Sequence, residues 1–215
     1  SRVETTRRIV EGMAACAEPP RTFICSSAIG FYGDRGAEKL NESAAAGHDF
    51  LADVCAAWEH EALRAQEFGI RVVCVRTGVV LGRDGGALLQ MLPPFKMGMG
   101  GRLGAGRQYM SWIHIDDLIG IMLYAAGRVE ISSPVNGVAP EAITNAEFTG
   151  ILARTLHRPA LFPVPACLLK LVVGEFATVM LASQRVIPEK ITRAGYQFRF
   201  PTLPEGLAVL LSPSQ

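Results

Sequence analysis

The chain has 215 residues, 49% of them apolar and 19% charged, with a formal net charge of +1. That length suits one large domain, or one domain with a smaller lobe, and the composition excludes a disordered chain. The nearly balanced charge argues against an electrostatic nucleic-acid binder and points to a small-molecule partner.

In chain order, Ser1 and Glu4 stand three apart, as in a capping box, and predict a helix running to about Ala17. After Pro19 and Pro20, residues 21–26 form a short apolar run that predicts a buried strand. Residues 50–68 space Leu51, Val54, Cys55, Trp58, Ala62 and Leu63 at the helical period and stop at Gly69. Residues 70–76 are a second buried strand. A strand, helix, strand series with short links predicts a parallel sheet with right-handed crossovers and a helical cover.

Further on, residues 82–106 are rich in Gly and Met, residues 109–115 alternate like a strand and residues 116–126 are helical. A strand is expected near residues 135–138, then a helix capped by Thr144 or Asn145 and running through Thr155, then short helices and a Pro-punctuated tail. The most apolar stretch, residues 161–183, is broken by Pro, Gly, Lys170 and Glu175, so no membrane span is expected. No signal peptide is expected at the start. The five cysteines (Cys16, Cys25, Cys55, Cys74, Cys167) lie far apart without a CxxC pair. They read as buried thiols in a reducing, cytoplasmic compartment, with no metal site.

In doubly wound sheets ligands gather where strands end and the chain turns to a helix. Two such ends are legible, Cys25-Ser26-Ser27-Ala28 and the run from Val75 to Gly82. The Ser26 and Ser27 hydroxyls either donate to a ribose or carboxamide or cap the following turn.

The phrases "SSAIGFYGDRG", "DFLADVCAAWEHEA", "RTGVVLGRDGGAL", "WIHIDDL" and "NGVAPEAITNAEF" follow one another in the chain. Together they resemble the extended short-chain dehydrogenase/reductases, and within them the NAD(P)-dependent epimerase/dehydratase family and its uncharacterised sugar-nucleotide-epimerase-like branch. The resemblance implies an α/β fold with a Rossmann-like doubly wound parallel sheet and a smaller mixed α/β substrate lobe. On that division, residues 1–82, completed by about 107–138, belong to the dinucleotide-binding domain. Residues 83–106 and 139–215 form the substrate lobe.

The family's Gly-rich phosphate turn has no counterpart here, and is expected ahead of Ser1 in the natural protein. The cluster at residues 98–106 has the wrong spacing and reads as a flexible substrate-side loop. Family dehydrogenases pair a tyrosine with a lysine one helical turn on, because a phenol needs a nearby cation to act at neutral pH. Aligned on Tyr32-Gly33 and Glu59, the chain carries Ala28, Leu51 and Cys55 at the serine, tyrosine and lysine positions.

Ser27 and Tyr32 remain as catalytic candidates, with no lysine visible beside Tyr32. The resemblance assigns the cofactor, NADP with NAD as an alternative, to Arg2, Ser26, Ser27, Val79 and Val80. Arg83, Gln108 and Trp112 are assigned to the substrate. His114 with Asp116 and Asp117 matches a structural element in which an aspartate caps the next helix. Two functions follow: an oxidoreductase or epimerase-like enzyme acting on a small substrate, or an inactive dinucleotide-binding sensor or scaffold. The apolar stretch from Leu168 to Val173 is a dimer face if exposed.

Overall fold

The computed structural model describes residues 1–212. Helix α1 (Arg2–Ala14) leads into strand β1 (Thr22–Ala28), a 3-10 turn (Ile29–Tyr32), the short strand β2 (Lys39–Leu40) and helix α2 (Phe50–Leu63). A second 3-10 turn (Arg64–Phe68) precedes β3 (Arg71–Thr77) and β4 (Val79–Leu81), followed by α3 (Gly86–Lys96). Next come β5 (Tyr109–Met110), β6 (Trp112–His114), α4 (Ile115–Ala126), β7 (Val135–Gly137), β8 (Ile143–Thr144) and α5 (Asn145–Leu156). The remainder is α6 (Ala166–Val173), α7 (Phe176–Leu181), β9 (Arg185–Val186), α8 (Glu189–Arg193) and α9 (Leu203–Leu211).

Strands β1, β3 and β7 form a parallel sheet in that order, in register from Thr22 beside Arg71 to Ala28 beside Thr77. Strand alternation sends β3 side chains to two different covers. Val72 and Cys74 pack with Val10, Trp58 and Ala62 of α1 and α2, whereas Val73 and Val75 pack with Leu118, Ile121 and Ala125 of α4. Helices therefore cover both faces of a doubly wound Rossmann-like sheet. Each fully buried aliphatic side chain in it contributes about 1.5–3 kcal/mol.

A second, smaller parallel pair joins β4 to β6, with Leu81 beside His114. Around it Leu88, Leu92 and Phe95 of α3 meet Trp112, Phe148, Leu152 and Leu207 in a separate core. Gly78 links the two sheets: a Cβ there would lie 2.4 Å from the Ser111 carbonyl oxygen, so only glycine permits the approach.

Several local expectations shift. Helix α1 ends at Ala14, and Ser1 makes no side-chain cap. The Glu4 carboxylate turns instead to Arg8 (3.0 Å) and Arg7 (3.6 Å), whose charges outcompete one backbone N–H. The predicted helix at residues 50–68 tightens to a 3-10 turn after Leu63 before Gly69 ends it in the left-handed region. The Gly/Met-rich segment contains α3 despite Pro93 and Pro94, since Leu88, Leu92 and Phe95 recur at helical spacing on a buried face. The loop after it is pinned: the Leu103 N–H donates to Asn145 Oδ1 at 2.7 Å and Gly104 N–H to the Val164 carbonyl at 2.8 Å. Thr144 caps α5 in a complete capping box with Glu147. The expected substrate lobe runs past the described residues at 213–215.

Candidate functional site

At the carboxyl ends of β1 and β3 five side chains from four elements and one turn form a buried polar knot. Arg76, 4% exposed on β3, reaches the Glu59 carboxylate of α2 twice, Nε to Oε1 and Nη2 to Oε2, both at 2.8 Å. Ser27 donates to the same Glu59 Oε1 at 2.7 Å. On its other side Arg76 Nη1 donates to the Tyr32 hydroxyl at 3.0 Å, and that hydroxyl donates to Asn136 Oδ1 of β7 at 2.7 Å. Asn136 Nδ2 closes the chain on the Ile187 carbonyl at 3.0 Å.

The Phe31 ring covers the guanidinium at 3.4 Å from its centroid. Burial opposes the Arg76 charge, but the hydrogen bond and charge of Glu59, with Tyr32 beside them, hold its pKa above the ordinary value. Burial pushes the Tyr32 phenol up, against the opposing pull of Arg76. The same geometry places both catalytic candidates. Tyr32 is fully buried and Ser27 is 3% exposed, each with its hydroxyl proton already committed, so neither presents a donor to an entering molecule. Tyr32 does have a cationic partner, Arg76 rather than a lysine.

Leu51 is partly exposed, and buried Cys55 packs near the 3-10 turn with its thiol pKa raised by burial. Cys25 and Cys74 are likewise buried and pushed up to about 11 and about 12, whereas Cys16 and Cys167 are exposed, against the expectation of uniform burial. Among the described residues no cluster of metal-ligating side chains occurs.

The cofactor candidates divide among four places. Arg2 and Ser26 are both exposed and line one cleft of about 630 Å³ between α1 and the outer edge of β1, with Thr5, Phe23 and Trp58. The Arg2 guanidinium lies 4.8 Å from the Trp58 ring centroid, and Trp58 Nε1 donates to Thr6 Oγ1 at 2.8 Å, which fixes the indole. Ser27 points inward to the knot. Val79 packs on the α3 and α5 core, while Val80 lines a second cleft of about 520 Å³ with Arg83, Asp84, His114, Asp116 and Leu210.

The substrate candidates do not converge. Trp112 is fully buried, and its Nε1 donates to the Glu141 carbonyl at 3.0 Å, so it supports the core instead of stacking on a ligand. Gln108 is buried and donates to the Leu103 carbonyl at 3.1 Å, shaping the loop. Arg83 is exposed and donates to the Val209 and Ser212 carbonyls, both at 2.7 Å, at the end of α9.

The helix cap after β6 is corrected too. His114 Nδ1, not an aspartate, accepts the Asp116 N–H at 3.1 Å. Asp117 is buried and accepts the backbone N–H groups of Arg199 (2.8 Å) and Phe200 (2.9 Å), tying the tail to α4. Sequence reasoning missed Asn136, Arg76 and this role of Asp117. Arg76 directly after the apolar run from Val72 to Val75, with Glu59 on the apolar side of α2, was the available signal of a buried pair.

A parallel sheet covered by helices on both faces defines a Rossmann-like α/β protein, a fold whose ligands gather at the strand ends. Comparison with known proteins narrows this. Residues 1–136 match the NAD dependent epimerase/dehydratase family, and the chain belongs to that family. Residues 164–210 match a domain of unknown function, DUF1731. The chain is 40% identical over 205 residues to mouse epimerase family protein SDR39U1, covering 94% of this chain and 70% of that protein. It is 37% identical over 213 residues to the Arabidopsis thaliana SDR39U1 homolog, described as chloroplastic, covering 98% of this chain and 61% of the relative. The crystal structure of human SDR39U1 with NADPH superposes with a TM-score of 0.93 at 36% identity, over 98% of this chain and 72% of that one. The chain thus spans about three fifths to three quarters of these relatives. Among the described residues no helix is long and apolar enough to cross a membrane.

Proposed function

We propose that this chain is an NADP-dependent oxidoreductase or epimerase-like protein that acts on a small molecule in the cytoplasm. The observation that carries the reading is the likeness to the human relative crystallised with NADPH, at a TM-score of 0.93 over 98% of this chain; beside β1, Arg2 and Ser26 face one space next to an anchored Trp58. An exposed guanidinium, a hydroxyl and an aromatic wall suit the phosphate, ribose and ring portions of a dinucleotide, and the relative crystallised with NADPH supports the same assignment. NADPH, when bound, supplies a hydride.

The chain's own residues bind and orient. The Arg76–Glu59 pair and Tyr32 hold the β1 and β3 ends rigid and Arg2 and Ser26 position the cofactor, while Val79 and Val80 lie apart from that cleft, just past the β3 end. Residues 1–82 with 107–138 would form the cofactor domain, and residues 83–106 with the C-terminal segment the substrate lobe. The α6 face, where Leu168, Leu171 and Val172 are exposed, would form a homodimer contact.

A second reading rests on Ala28, Leu51 and Cys55: with no proton donor at those positions, the protein binds the dinucleotide and senses it without turnover. NADPH titration followed by an oxidation assay against carbonyl compounds and sugar nucleotides separates the two. Turnover supports the enzyme and saturable binding without turnover supports the sensor. Absence of NADPH binding to the full-length protein overturns both.

A further inference from the structure

The corner where β6 becomes α4 contains the one buried side-chain polar atom among the described residues that lacks a hydrogen-bond partner, His114 Nε2. The side chain is only 2% exposed. Because Nδ1 accepts the Asp116 N–H, the neutral imidazole carries its hydrogen on Nε2, as a donor with nothing to receive it. A buried N–H of this kind calls for an acceptor, since leaving one unmet costs about 1–3 kcal/mol.

His114 lines the 520 Å³ cleft at the carboxyl ends of β4 and β6. Two helices begin beside this cleft, and α3 starts there at Gly85 and Gly86 with no side-chain cap. A Cβ on Gly206 would sit 3.7 Å from His114 Cδ2, so that carbon packs against α9, whose next turn brings Leu210 to the cleft wall. The Phe200 ring packs on the imidazole at 4.0 Å between centroids and holds it in place.

Charge selects the class of ligand. The cleft presents the Asp84 and Asp116 carboxylates, with Arg199 3.5 Å from Asp116 and the Arg83 guanidinium bonded to the end of α9. Two carboxylates disfavour an anion, and the cations beside them offset a full positive charge. What fits is a neutral molecule with an oxygen for Nε2–H and hydroxyl donors for the carboxylates, its carbon skeleton against Val80, Ile115 and Leu210. We propose that this cleft binds a small neutral polyol through His114 Nε2–H, Asp84 and Asp116. Of the residues assigned to the cofactor, Val80 alone reaches it; Arg2 and Ser26 line the other cleft.

The test is an NMR titration of the ¹⁵N-labelled chain with ribitol, reading the His114 Nε2–H signal and the Gly85 and Gly86 amides, with inorganic phosphate and NADPH as parallel arms. Ribitol is expected to shift all three signals saturably, with NADPH present or absent. Asp84→Ala, at an exposed position, is expected to weaken the effect about fivefold, as loss of one hydrogen bond does. Val209→Trp, which fills the mouth from an exposed site, is expected to abolish it. The proposal is overturned if phosphate or NADPH shifts these signals and ribitol does not, if none shifts them, or if Val209→Trp leaves the ribitol response intact in a folded protein.

Discussion

The polar knot below the β1 and β3 ends and the corner between β6 and α4 use similar residues to different ends. In the knot each side chain answers another across the sheet, so Arg76, Glu59, Ser27, Tyr32 and Asn136 form one closed network. At the corner Asp117 and His114 Nδ1 mostly address backbone N–H groups, and one imidazole nitrogen is left unanswered. A closed network fixes a strand-end geometry but offers nothing to a ligand. An open one keeps a donor available and bears the desolvation cost.

The sharpest way to break the contrast is Arg76→Ala. It strands the Glu59 carboxylate in the interior and is expected to destabilise the protein by about 3–5 kcal/mol in urea unfolding. The double variant Arg76→Met with Glu59→Leu should recover much of that loss, since a well-packed apolar pair replaces a buried ion pair at little cost. If the single variant unfolds normally, the knot is not what holds the strand ends.

Asp117→Ala probes the corner. Removing a carboxylate that accepts two backbone N–H groups is expected to cost about 2–3 kcal/mol, and to expose the 195–200 tail to hydrogen exchange. A smaller effect follows at the cofactor cleft. Arg2→Ala is expected to weaken NADPH binding roughly tenfold in full-length protein, about 1.4 kcal/mol, while leaving the unfolding midpoint unchanged. Ser27→Ala should do the reverse, lowering stability by about 1 kcal/mol with NADPH affinity preserved, because its hydroxyl faces Glu59.

The smallest expected effect is a pH dependence that separates the two regions. Burial, opposed by Asp116 and Asp117, lowers the His114 pKa. The unfolded chain then takes up a proton near pH 6.5 more readily than the folded one, so stability falls as pH drops through about 6.5 toward the folded value. His114→Gln should flatten that slope, and Tyr32→Phe in the knot should leave it unchanged. Urea midpoints between pH 8 and 5 provide the comparison.

Much of the fold was legible in the chain. Apolar runs with short links at residues 21–26 and 70–76 announce parallel strands, and the spacing of Leu51 to Leu63 announces a helix, because period and punctuation are local. A cap at Thr144 or Asn145 was readable for the same reason, and the structure places it at Thr144. The site was harder. Trp112 and Gln108 looked available to a substrate, yet one supports the core and the other a loop carbonyl. Tyr32 looked solitary, yet a guanidinium 44 positions on lies against its hydroxyl.

By itself, then, the sequence determined the alternation of strands and helices and the family phrases. The tertiary structure alone decided which polar side chains are occupied: Ser26 and Ser27 are neighbours, but strand alternation turns one to the solvent cleft and the other to Glu59. Whether a hydroxyl or an imidazole nitrogen is spent or available depends on partners tens of residues away, and only the packing of the sheet against its helices brings them within 3 Å.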